Sequence, residues 1–216
     1  AGLSWNDGPE IVFDPAETGE AYAKLAELNK TDSLLIGSPT DWWDPSALTQ
    51  GLSAMQWCGL WAMPGIRDQI EEDFYVSAWP SIDIGNGAAS PTTFWGGWTE
   101  FVNGQTENLE EALAFVNWQW IENTDWQNEW ASAYGFHVPP RKSAAAVNDK
   151  LTEGNPKIVV DNLYAYGRNN GPYFTGAMQT ARLDAISNVV KNDADPTAEF
   201  TKARETCDAE MEALLA

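Results

Sequence analysis

The stretch Gln50-Gly51-Leu52-Ser53-Ala54-Met55-Gln56-Trp57-Cys58-Gly59-Leu60-Trp61 constrains this chain more than any other. A turn-forming glycine opens it, a short apolar run follows, and a glycine beside a large aromatic closes it. Apolar runs of this length, bounded by turn signals, read as buried strands. In open α/β sheets, ligands bind beyond the carboxyl ends of the strands. Trp61, where the chain would leave the sheet, is therefore a candidate ligand contact.

Helix signals precede and follow this run. Asp14-Pro15-Ala16-Glu17 combines a capping carboxylate, a proline for the first helical position and an acidic residue three positions on. Ala21, Tyr22, Leu25 and Leu28 then recur at helical spacing. Asn108-Leu109-Glu110-Glu111 opens a second helix, with Leu109, Ala112, Leu113, Val116 and Trp120 as its expected buried stripe. A third runs from about 125 to 133, with Gly135 as its expected C-terminal cap. A helix over 175–191 buries Met178, Ala181, Ala185, Ile186 and Val189. The last starts at Asp195-Pro196 and carries Phe200, Ala203, Cys207, Met211 and Leu214 on one face.

Two more strands are expected. Phe74 to Pro80 is closed by proline, and Thr93 to Val102 is broken by Gly96-Gly97. A glycine pair inside a strand permits a bulge or the close approach of another group to the backbone. With Trp95 beside it, this is a second candidate ligand wall, or else a tight contact in which Trp95 and Trp98 are packing. Residues 64–73 read as a surface connection. Asp41-Trp42-Trp43-Asp44-Pro45 is a loop; adjacent tryptophans cannot both point inward, so one is exposed, lines a cleft, or merely anchors the loop. After a short helical piece, the loop 164–173 holds Tyr173, Arg168 and neighbouring Tyr and Asn residues, groups that stack and hydrogen-bond. Helix, strands and then several helices make the chain α/β or α+β, with no repeat and no low-complexity linker.

Composition narrows the function. The 12 Lys and Arg against 32 Asp and Glu give a net charge of −20. Such a surface repels phosphate backbones and anionic lipid, so nucleic acid and membrane surfaces are not expected partners. No run of about 18 apolar residues is present to span a membrane. Residues 1–5 have neither a basic nor an apolar leader region, so an export signal is expected to have been removed or to lie outside this stretch. Twelve Trp residues exceed what an ordinary core uses. Their flat apolar faces suit the C–H faces of sugar rings.

Catalytic patterns are wanting. The sole histidine, His137, lies in a proline-flanked extended segment, and no GxSxG elbow occurs. Neither CxxC nor HExxH is present, so no metal site is expected, and no cofactor. The 85–90 glycine-containing loop lacks the third glycine of a nucleotide loop. Cys58 sits in an apolar run, which raises a thiol's pKa rather than activating it. Cys58 and Cys207 form a possible disulfide if the compartment is oxidising, or remain two buried thiols. Aromatic walls and polar fingers without visible catalytic machinery point to binding without turnover.

Four segments in order resemble the family 1 extracellular solute-binding proteins, the sugar-capturing subunits of ABC importers. They are residues 1–30; Gly51 to Trp61, similar to the family's "GxxAM…GxW"; Trp95-Gly96-Gly97 with the Asn108-to-Val116 helix; and Tyr134-Gly135-Phe136-His137-Val138-Pro139-Pro140-Arg141-Lys142-Ser143, similar to "g..P..ks". The resemblance implies a periplasmic-binding-protein-like II fold with two α/β lobes clamping a ligand. Residues 1–88 and 144–216 would form the C-terminal lobe. Residues 89–143 would cross the hinge and return to the N-terminal lobe, the rest of which this stretch would lack. It implies an extracytoplasmic protein, periplasmic or on the outer face of the membrane with a lipid anchor. It also implies a monomer that hands a sugar to permease subunits. By position it makes Trp61 the sugar-stacking aromatic, puts Trp95 and Gly96 near the cleft at a hinge crossing, and brings Tyr173 and its loop, with Arg168, toward the ligand. Trp43 has no counterpart in the family. The rival readings are a fragment of a glycan-acting enzyme and a free-standing carbohydrate-binding module.

Overall fold

The computed structural model describes residues 5–35, 43–85, 91–133 and 136–216. Trp42, the 86–90 part of the glycine loop and the Gly135 cap lie outside the described residues. Among these residues the chain is a mixture of helices and very small sheets, compatible with an α/β class. It divides into two compact units. The first comprises residues 1–37, 78–95 and 166–216, and the second residues 38–77 and 96–165.

The first unit is built on three helices. A two-residue antiparallel hairpin, β1 (Asn6–Asp7) with β2 (Glu10–Ile11), leads into α1 (Pro15–Asn29). Asp14 caps α1 as expected, its carboxylate accepting from the backbone N–H of Ala16 at 2.8 Å and of Glu17 at 2.9 Å. Later come α8 (Gly176–Asn192), capped by the Thr175 hydroxyl, and α9 (Pro196–Leu215), capped by Asp195. Both follow the same rule: an oxygen side chain in extended backbone satisfies a free N–H of the first turn.

The stripes of α8 and α9 meet with Trp5, Ile11 and Phe13 in one apolar cluster. Phe13, Met178 and Phe200 are fully buried there. Tyr22 stacks on Phe200 at 5.2 Å, and Trp5 tilts against Phe13 at 4.0 Å between ring centres. Burying side chains of this size contributes about 1.5–3 kcal/mol each. Gly19 lies in α1 where a Cβ would come within 2.9 Å of the Pro196 carbonyl carbon. A glycine that weakens the isolated helix thus permits the close approach of α1 to α9. Leu214, at the end of the α9 stripe, is exposed.

The second unit carries α2 (Ser46–Thr49), a 3-10 turn (Leu60–Ala62) running into α3 (Met63–Ile70), and α4 (Leu109–Asn117). A π-helical turn (Trp118–Glu122) follows, then α5 (Thr124–Ala133), α6 (Lys142–Ala145), a 3-10 turn (Asp149–Leu151) and α7 (Gly154–Tyr166). Its apolar cluster is small: Ala145, Leu151 and Val160, with Leu60, Phe136 and Val138 against it.

Three expected strands are corrected. Residues 51–59 form an irregular loop, with Leu52, Met55 and Trp57 exposed. The Gln56 side chain holds that loop to the start of α2, accepting from Leu48 N–H at 3.1 Å and donating to the Asp44 carbonyl at 2.7 Å. Here a side-chain clamp replaces a ladder. Of the 74–80 segment only Trp79 bridges, to Thr92. Of the 93–102 segment only β3 (Thr93–Phe94) is strand, in parallel register with β4 (Gly167–Arg168).

Helical content exceeds the sequence reading elsewhere. Pro64 and Gly65 lie inside α3, with the proline in the first turn where its missing N–H is harmless. Tyr164 and Tyr166 belong to α7 rather than to a loop. The expected stripe of α4 is not buried: no residue of that helix is, and Leu109 and Leu113 are exposed.

Candidate functional site

The aromatic residues singled out in the sequence are largely exposed. In the second unit, Gly59 is extended (φ −107°, ψ 170°) and Trp61 folds back over it. A Cβ on residue 59 would lie 1.8 Å from an indole carbon. Only the absence of a side chain lets the ring rest there. Trp61 is 42% exposed, with its ring close against the Gly59 backbone. Trp43, 52% exposed, belongs to the same unit. Its neighbour Asp44 accepts from the Ser46 hydroxyl and, at 2.9 Å, from the Ser46 N–H. Those bonds hold the Asp44 carboxyl below the usual range.

In the first unit the parallel pairing brings Trp95 and Arg168 together. The Trp95 N–H donates to the Arg168 carbonyl at 2.9 Å, extending the β3–β4 ladder by one bond. Both side chains are exposed, and so is Phe94. Tyr173 is half-buried, with Phe174, against the main apolar cluster. Gly96 is exposed and falls in the second unit. Of the expected ligand contacts, then, Trp95 and Arg168 share one strand pair of the first unit, and Trp61 and Trp43 stand in the second.

The two thiols are both free. Burial raises the Cys58 pKa, and the nearby Asp44 charge adds to the rise. The Cys207 thiol, 1% exposed in the core, is pushed up to about 11 by burial, with Asp208 adding and Arg204 opposing. Neither is poised as a nucleophile. His137 donates its backbone N–H to Ala131 at 2.8 Å, and its ring lies 5.0 Å from that of Trp130. Among the described residues no group of three or more His, Cys, Asp or Glu could hold a metal ion. No helix among them is long and apolar enough to cross a membrane.

An open surface depression in the second unit was not anticipated. It has a volume of about 320 Å³ and lies between α5, with Asn128, Glu129 and Ser132, and the 147–150 turn. Asn148 is its buried floor, donating to Ser132 Oγ at 2.9 Å and to Asn128 Oδ1 at 3.2 Å. The Asn148 side-chain oxygen, Oδ1, also accepts from Lys150 N–H at 3.2 Å, capping the 3-10 turn. Asn148-Asp149-Lys150 is legible as a turn in the sequence. Its partners on α5, 16 and 20 residues away, are not.

No family model matches this chain, and no curated protein is significantly similar to it.

Proposed function

We propose that this chain belongs to an extracytoplasmic solute-binding protein that captures a sugar or oligosaccharide and delivers it to an ABC importer without chemical turnover. In this reading the fold is of the periplasmic-binding-protein-like II kind, and capture works by lobe closure. Aromatic faces stack on the sugar while polar side chains meet its hydroxyls. The observation that carries it is the exposed Trp61 indole, seated on the backbone of Gly59 within a segment that resembles the family's "GxW". A pre-seated ring loses little freedom when a ligand stacks on it, which favours affinity. The excess of carboxylates suits a neutral, hydroxyl-rich ligand rather than an anionic one.

Calorimetric titration of the protein against a panel of mono- and oligosaccharides tests the proposal. One sugar should bind saturably, and Trp61→Ala should weaken it by about 1–3 kcal/mol, the scale of lost aromatic burial. Release of new reducing ends from an oligosaccharide would favour a glycan-acting enzyme instead. An affinity unchanged in Trp61→Ala would remove Trp61 from the ligand wall.

A further inference from the structure

Asn-Gly occurs three times in the chain, at Asn86, Asn103 and Asn170. Asn86 lies outside the described residues. The other two meet different surroundings. Asn103 and Gly104 are both exposed, in a turn of the second unit closed by the Thr106 N–H donating to the Asn103 carbonyl at 3.0 Å. The Asn103 side-chain oxygen accepts from the Gln105 N–H, also at 3.0 Å. A bond of this kind folds the side chain back over the intervening Gly104 peptide. Cγ is thereby turned toward the Gly104 nitrogen, and the donor draws electrons from it. The space around residue 104 is open: a Cβ there would meet nothing within 4 Å. Asn170 is held differently. It is half-buried, and its side-chain oxygen accepts from Arg182 of α8 at 3.3 Å. The Arg182 guanidinium is itself packed, 5.9 Å from the centre of the Trp5 ring and 5.0 Å from that of Phe174.

We propose that Asn103 is a site of spontaneous covalent modification, deamidating to aspartate and isoaspartate while Asn170 is spared. Hydroxide removes the Gly104 N–H proton, and the nitrogen's electron pair attacks Asn103 Cγ. The new N–Cγ bond closes a five-membered succinimide as the Cγ–Nδ2 bond breaks, and the side-chain nitrogen leaves as ammonia, taking a proton from water. Water then opens the ring. Its attack at Cγ leaves aspartate; its attack at the backbone carbonyl carbon leaves isoaspartate, with the chain running through the former side chain. Gln105 sits in the same exposed turn as Asn103 and follows it during ring closure. Arg182, packed on two rings, does not follow Asn170, so closure there first costs the bond between them. Aspartate at position 103 can still accept from the Gln105 N–H, whereas isoaspartate adds a methylene to the backbone and breaks the 103–106 turn. Thr106 Oγ1 accepts from the Asn108 N–H at 3.2 Å, just before α4, so that break reaches the start of the helix. The proposal is independent of sugar capture and stands or falls without it.

Incubation of the whole chain at mildly alkaline pH, followed by peptide mapping by mass spectrometry, tests it. The mass gain of amide-to-acid conversion should accumulate in the Asn103 peptide about ten-fold faster than in the Asn170 peptide, the factor set by first breaking a charge-assisted hydrogen bond. Fragmentation of the Asn103 peptide should show isoaspartate beside aspartate. Gly104→Ala puts a methyl beside the attacking nitrogen, where the fold has room for it, and should slow the reaction about ten-fold. In urea the rates at Asn103 and Asn170 should converge, because the difference belongs to the fold. Equal rates in the folded chain, or a Gly104→Ala variant that reacts like the parent, would overturn the proposal. An unmodified Asn103, or a difference between the two sites that persists in urea, would overturn it as well.

Discussion

A methyl group on residue 59 would sit 1.8 Å from the Trp61 ring, so Gly59→Ala cannot leave that ring in place. The Trp61 indole N–H resonance, assigned by its loss in Trp61→Phe, should shift in Gly59→Ala. An unmoved resonance would mean that the loop absorbs the methyl by itself. Cys207 allows a second prediction at this scale. Its thiol is held up to about 11 against an ordinary value of 9.0, because burial disfavours the thiolate. The unfolded thiol therefore ionises first, and this contribution to stability is whole below pH 9 and lost as pH rises toward 11. Urea unfolding at pH 8.5 and 10.5 should show a larger loss for the parent than for Cys207→Ala, even though the variant starts less stable. Equal losses would show that the thiol does not resist ionisation in the fold.

Helix starts agree with the sequence at α1 and α9, whereas Asn108, the expected cap of α4, makes no side-chain capping bond. Asp14, Thr175 and Asp195 all cap the helices they precede, because capping needs only a side-chain oxygen within three residues of a free N–H. Asp195→Ala should accordingly cost about 1 kcal/mol in urea unfolding, while Asp195→Asn should be nearly neutral. No loss in the alanine variant would mean that water serves the α9 N-terminus equally well. Strands fared worse for a related reason. The 50–61 run has the composition of a strand, but a strand exists only if a second one pairs with it. In this chain the Gln56 side chain takes up the backbone carbonyl of Asp44 and the N–H of Leu48 instead. In α4 the periodicity correctly marks an apolar face, yet periodicity does not say what covers it, and Leu109 and Leu113 remain exposed.

For the molecule as a whole, charge is the dominant fact. Ion pairs such as Lys30–Asp193, Lys157–Asp161 and Arg204–Asp208 are surface contacts and offset little of the acidic excess. Self-repulsion should therefore weaken the folded state at low salt. Raising NaCl from 0.01 to about 0.2 M shortens the Debye length from about 30 Å to below 10 Å and should raise Tm measurably. A flat or falling Tm would mean that the carboxylates are too widely spaced to repel.

The amino-acid sequence by itself determined the local features: the capped starts of α1 and α9, the buried stripe that puts Phe200, Ala203 and Cys207 in the core, and the acidic excess of the chain. These depend on neighbours within one or two helical turns. Only the tertiary structure decided that Gly59 seats Trp61, that Gly19 admits Pro196, that Trp95 pairs with the Arg168 backbone, and that Asn148 bonds to α5. Each of these depends on a close approach or a hydrogen bond whose geometry exists only after the chain has folded, and residue spacing alone does not encode it.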